Sequence, residues 1–162
     1  MPIISVKTSI NAPIAIVFDL ARSIDFHQAS TVSTNEKAIA GKTEGLISLN
    51  ETVTWRAKHF GIYQNLEVKI VEFNKPNMFK DIMLNGAFKS MDHTHSFKQI
   101  KNTTEMQDLF SFESPLGLLG KIANHLFLKN YMRNFLINRN SEIKKVAESE
   151  EWKSVLNYNN YS

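Results

Sequence analysis

Cysteine is absent from the 162 residues. No disulfide framework, thiolate metal site or thiol nucleophile is therefore available. Long apolar runs are missing as well: none approaches about 18 residues, the span a membrane helix needs. The opening residues Met1 to Lys7 lack the basic-then-apolar layout of a secretion signal. A cytoplasmic protein without stable membrane insertion is the expectation. Charge of one sign is scarce, since 19 Lys+Arg face 16 Asp+Glu and leave +3. That surplus is too small to argue for nucleic acid. Arg56, Lys58, Lys69, Lys80 and Lys98 are interrupted by Glu67, Asp92 and Glu105, as on a mixed, solvated face. No RNA-reading motif accompanies them. There is no Gly-x-Ser-x-Gly elbow, Gly-rich phosphate loop or His-Glu-x-x-His helix.

With 43% apolar and 22% charged residues, the chain has the make-up of a folded domain rather than a disordered one. Its length suits a single core. One domain is expected over residues 1–150, with residues 151–162 as a flexible polar tail.

The β-branched segment Ile3 to Ile10 reads as a strand. Asn11-Ala12-Pro13 then opens a helix, with Asn11 as its N-cap. Ile14, Val17, Phe18 and Ala21 follow on one stripe. Ser23 caps a second short helix through Phe26 and Ala29. From Thr34 to Phe112 the apolar pattern turns to period two. Val53, Trp55, Ala57 and His59 alternate with polar residues, as do Phe79, Asp81 and Met83, then Met91, His93, His95 and Phe97, then Met106, Asp108, Phe110 and Phe112. Short turns between such strands describe an antiparallel meander covered on one side. After Ser114-Pro115, a helix from Ile122 to Ala147 carries Leu128, Met132, Phe135, Ile143 and Val146 on one stripe, and Arg139 sits on that same stripe.

This order of elements is joined by Val53-Thr54-Trp55-Arg56-Ala57-Lys58-His59-Phe60-Gly61, Gly86-Ala87-Phe88-Lys89-Ser90-Met91 and Phe112-Glu113-Ser114-Pro115-Leu116-Gly117. Together they resemble the START-like, SRPBCC helix-grip superfamily of the birch-pollen allergen, START domains and polyketide cyclases, and a bacterial subgroup within it. The resemblance implies an α+β helix-grip fold. A curved antiparallel sheet of six to seven strands wraps a long C-terminal helix, with two short helices after strand 1. It also implies a hollow between sheet and helix that takes an apolar small molecule. Trp55, His59, Asp81, Met83, Met91, His93, Phe110 and Phe112 are the expected ligand-binding residues. Met and aromatic walls with a few polar groups are the usual make-up of a pocket.

If the apolar positions point inward, His59, Asp81, His93, His95 and Asp108 point inward with them. Turn lengths place these groups. A two-residue turn at Lys101-Asn102 pairs Ile100 with Thr103 and sets His95 opposite Asp108 and His93 opposite Phe110. A four-residue turn at Asn74 to Asn77 pairs Phe73 with Met78 and Asp81 with Ile70. A turn at Gly86 puts Met91 opposite Asp81 and His93 opposite Phe79. In that register Asp81 and His93 are diagonal neighbours with Cβ atoms roughly 7 Å apart. His95 and Asp108 form a hydrogen-bonded pair, and His59 stands at the far end. No three of the five converge, so neither a metal site nor a cofactor is expected.

Three functions compete. The first is binding or transport of a small apolar or amphipathic molecule. The second is a polyketide cyclase or dehydratase-like enzyme with Asp81 and His93 as catalytic acid and base. The third is a protein-interaction domain. The cavity mouth is expected among Phe60 to Tyr63, Asn85 to Ala87 and Leu116 to Leu119. There the run Leu116 to Gly120 acts as a lid, a membrane or partner contact, or a packed helical turn. Oligomeric state, ligand identity and catalysis stay open.

Overall fold

Alternation of branched and polar residues makes Ile3–Ile10 a strand, β1, whose inward side chains Ile4, Val6 and Ile10 are buried. The computed structural model describes residues 1–114 and 127–157. After β1 come α1 (Ile14–Ala21), α2 (Ile24–Ser30), a 3-10 turn (Val32–Thr34) and the strands β2 (Lys37–Gly41), β3 (Thr52–His59), β4 (Ile62–Asn74), β5 (Met78–Asn85), β6 (Ser90–Ile100) and β7 (Thr103–Glu113). The helices α3 (Lys129–Ala147) and α4 (Trp152–Val155) follow. The seven strands form one antiparallel sheet in the order β1-β7-β6-β5-β4-β3-β2. This is the expected helix-grip α+β architecture.

Ser23 caps α2 as expected, its hydroxyl accepting from the Phe26 N–H at 3.1 Å. Asn11 does not cap α1. The helix starts at Ile14 with Pro13 in the cap position, and the Ile14 N–H donates to Gln99 Oε1 at 2.8 Å. Asn11 instead donates its backbone N–H to Glu148 Oε1, just beyond α3. Arg139, Ile143 and Val146 on α3 are buried, and α3 lies against β1 and α1. Leu156 is buried in the core after α4, so packing continues past residue 150. The tail from residue 158 and the run Leu116 to Gly120 lie outside the described residues, as does the expected start of the long helix at Ile122.

One end of the sheet is filled solidly. Phe18 of α1 meets Phe73, Phe79 and Phe97 edge-on at centroid distances of 5.5, 5.5 and 5.3 Å. Edge-to-face contact of this kind adds to the burial of the rings.

The β6–β7 register is the expected one, with Ile100 opposite Thr103, His95 opposite Asp108 and His93 opposite Phe110. At β4–β5 the turn is shorter than expected and pairs Asn74 with Met78. A bulge between Ile70 and Glu72 then restores Asp81 opposite Ile70. The β5–β6 expectation fails by two residues: Asp81 faces His93, and Phe79 faces His95. The ladder ends at Ile82 and Asp92 instead of running to a tight turn at Gly86. Asn85 pairs back to Glu67, and the Lys89 N–H reaches the Glu113 carbonyl at 2.7 Å. The chain between β5 and β6 thus swings away before returning.

Candidate functional site

Among the described residues, the curved sheet, α2 and α3 line a cavity of about 410 Å³. Its apolar walls include Val53, Trp55, Val68, Ile70, Met91 and Phe110. Of the expected ligand-binding residues, Trp55, His59, Asp81, Met91, His93 and Phe110 line it. Met83 and Phe112 stand outside the lining. Phe112 is fully buried behind the wall, packed on Phe88 and Phe110 at 5.1 and 5.8 Å. Met83 turns toward Gly86, where an added Cβ would lie 2.9 Å from its sulfur.

The register of β5 and β6 brings four of the five inward ionisable groups together. Asp108, fully buried on β7, is their centre. Its Oδ1 lies 2.9 Å from His93 Nε2, and its Oδ2 accepts from Asn140 Nδ2 of α3 at 2.6 Å. His95 Nδ1 is 2.9 Å from the same Asp108 Oδ1, within ion-pair range but poorly aligned for a hydrogen bond. His95 Nε2 contacts Asp81 Oδ1 at 3.3 Å. The two imidazoles are tilted against each other with centroids 3.8 Å apart, and His95 stacks on Phe79 at 4.2 Å. The expected diagonal Asp81–His93 pair is therefore corrected. These residues face each other directly, yet Asp81 engages His95 and His93 engages Asp108.

Environment divides the four groups electrostatically. Burial pushes the Asp108 carboxyl up, but the hydrogen bond to His93 and the close imidazole of His95 outweigh it and hold Asp108 well below the usual carboxylate range. Burial likewise raises Asp81, and the bond to His95 with the charges of both histidines brings it below its ordinary value. For His95, burial is overcome by the two carboxylates, and its pKa is raised. His93 moves the other way, because burial and the neighbouring charge of His95 outweigh Asp108. The site thus holds two carboxylates, a histidine shifted toward the cationic form and a histidine shifted toward the neutral one.

The expectation that no three groups converge is also overturned. One ligand atom from each of Asp81, His93 and His95 lies within 4.8 Å of the others. The two-residue shift in register is the cause. Asp81 Oδ1 and His95 Nε2 already contact each other at 3.3 Å, so a metal held through those two atoms would replace that contact.

His59 stands apart, as expected. Its Nδ1 is 2.7 Å from the Tyr131 hydroxyl, and burial, partly offset by Glu36, lowers its pKa. Phe60 packs on Tyr131 and Phe127 at 4.6 and 5.2 Å, an aromatic rim at that end of the cavity.

The lining groups that the sequence did not mark as site residues include Arg139, Glu36 and His27. Glu36 is buried and pairs with His27, whose ring stacks on Trp55 at 4.2 Å. Burial raises the Glu36 pKa, but the charge and hydrogen bond of His27 carry it below its ordinary value. A cation on the apolar stripe of α3 was the available signal for Arg139. The segment around Glu36 has no periodicity to mark its side chain as inward.

No protein-family model and no curated protein sequence matches the chain. Solved structures do. A Thermus thermophilus protein superposes with TM-score 0.73 at 15% identity, covering 89% of this chain and 95% of its own. A START superfamily protein from Mycobacterium smegmatis gives TM-score 0.70 at 11% identity over 90% and 97% of the two chains. Major latex-like protein 151 of Panax ginseng gives 0.69 at 13% identity over 91% and 98%. Likeness at such low identity speaks to backbone architecture, since unrelated activities share one fold. The chain has the START-like, SRPBCC helix-grip fold.

Proposed function

We propose that this protein binds or carries a small apolar or amphipathic molecule between the sheet and α3. The observation that supports this most is the cavity of about 410 Å³, within the usual range of about 300–1,000 Å³ for ligand sites. Its wall is mainly apolar, with polar groups that include His93, Asp81, Glu36 and Arg139. Such a wall supplies affinity through burial and orientation through a few polar contacts.

Thermal unfolding with medium-chain fatty acids, their esters and fused-ring aromatics tests this reading. A ligand at 100 times its Kd adds about 2.7 kcal/mol, or roughly 5–10 °C in Tm for a domain of this size. Native mass spectrometry should also reveal a molecule carried through mild purification. No shift across the panel, together with an empty protein by mass, would end the binding proposal.

Acid-base catalysis is a second reading, favoured by the Asp108–His93 contact. Asp108 holds Nε2 of a histidine that prefers to be neutral. With Nε2 held by Asp108, the lone pair of the neutral imidazole lies on Nδ1 of a residue that lines the cavity, which suits removal of a proton from a carbon acid such as a β-keto thioester. On any such compound the protein turns over, His93→Gln is expected to lower kcat about 100-fold. Unchanged turnover in His93→Gln would exclude the histidine as base.

A further inference from the structure

The cavity wall contains a cation whose hydrogen bonds are mostly unmade. Arg139 is only 6% exposed and lines the cavity from α3. A guanidinium carries five N–H donors. Nη2 donates to the Ala21 carbonyl at 2.6 Å, which ties α3 to the end of α1. Nη1 is buried and has no hydrogen-bond partner among the described residues.

Nor does a carboxylate neutralise Arg139 at close range. The other buried arginine, Arg22, has Asp19 at 2.6 Å. Glu36 and Asp81 are near enough to Arg139 for its charge to bear on them. Their own close partners, however, are His27 and His95. Among the described residues no carboxylate oxygen lies within ion-pair distance of Arg139. A buried charge with one satisfied nitrogen is costly, and a planar fork of donors matches a carboxylate with two parallel hydrogen bonds.

We propose that Arg139 is the anchor for an acidic head group, so that the molecule in the cavity is an amphipathic carboxylic acid. This deepens the binding reading and rests on it. The apolar body lies along Trp55, Met91 and Phe110, and its carboxylate accepts from the free edge of the guanidinium. His27 and His95 matter here because each occupies an acidic side chain that would otherwise compete for that edge. The arrangement also selects against the same body with a neutral head, which would leave the arginine unpaired after excluding water from it.

The test compares matched head groups on one body: lauric acid, its methyl ester and lauryl alcohol, with naphthalene-1-acetic acid and its methyl ester as an aromatic pair. Affinities are measured by calorimetry on the wild type, Arg139→Gln and Arg139→Lys. The acids should bind the wild type about 10-fold or more tightly than their esters. Arg139→Gln should remove that preference while ester affinity stays within about 3-fold. Arg139→Lys keeps the charge but loses the fork, and should retain part of the preference. It covers the case in which Arg139→Gln, deprived of the Ala21 contact, fails to fold. Equal binding of acid and ester by the wild type overturns the anchor and leaves the binding reading standing. A preference that persists undiminished in folded Arg139→Gln overturns it too. Absence of binding by every probe defeats both proposals together.

Discussion

Asp108→Ala is expected to lower the unfolding free energy by about 3–5 kcal/mol, the usual cost of removing one partner from a buried charged network. Asp108 is wholly buried and holds His93, His95 and Asn140. Alanine leaves His93 Nε2 and Asn140 Nδ2 without that acceptor, and leaves two imidazoles whose centroids are 3.8 Å apart without the carboxylate that contacts both. Urea unfolding at neutral pH measures the change. A loss under about 1 kcal/mol would mean that Asp108 does not organise these groups.

The pH dependence carries a further signature, with a sign for each group. Asp108 is depressed, so its contribution is present above the ordinary carboxylate value of 3.8 and is lost as pH falls through its lower folded value. His95 is raised, so its contribution is complete below 6.5 and disappears as pH climbs through its higher folded value. His93 is lowered: its preference for the neutral form is expressed above 6.5 and lost as acid protonates it in the folded state. Above pH 6.5 the wild type should therefore lose the part of its stability due to His95. Asp108→Asn, which removes a charge that holds His95 up, should flatten that decline.

Much of this arrangement was legible in the amino-acid order because it depends on local rules. Period-two alternation marks His93, His95 and Asp108 as inward, and the two-residue turn at Lys101-Asn102 fixes their register. The pairing of Asp81 with His93 was not legible. It depends on where the β5–β6 ladder stops, and that is decided by Asn85 returning to Glu67 and by Lys89 bonding to Glu113. Both contacts come from strands other than the pair being aligned. Glu36 was hidden for a related reason: a residue just before an exposed edge strand carries no alternation, and its burial follows from His27 on a separate helix. Arg139 was visible on its stripe, but whether a stripe cation turns to solvent or remains inside depends on what α1 offers it. The Ala21 carbonyl decides that.

Phe18→Ala is expected to cost about 3–5 kcal/mol, the range for removing a phenyl ring from a closed core. The ring is fully buried and surrounded by Phe73, Phe79 and Phe97, none of which can collapse into the gap without leaving its own strand position. Phe110→Ala supplies the contrast. It removes the same number of atoms from a residue only 4% exposed, yet one side of that ring faces the cavity and has fewer neighbours to lose. Its cost should be at least about 1 kcal/mol smaller than that of Phe18→Ala. Equal losses would mean that the wall at Phe110 is packed as densely as the plug at Phe18, and would remove the physical basis for a bound molecule. Saturating ligand adds a second arm. A guest resting on Phe110 restores the missing contacts in the wild type alone, so the penalty of Phe110→Ala should grow while that of Phe18→Ala stays fixed.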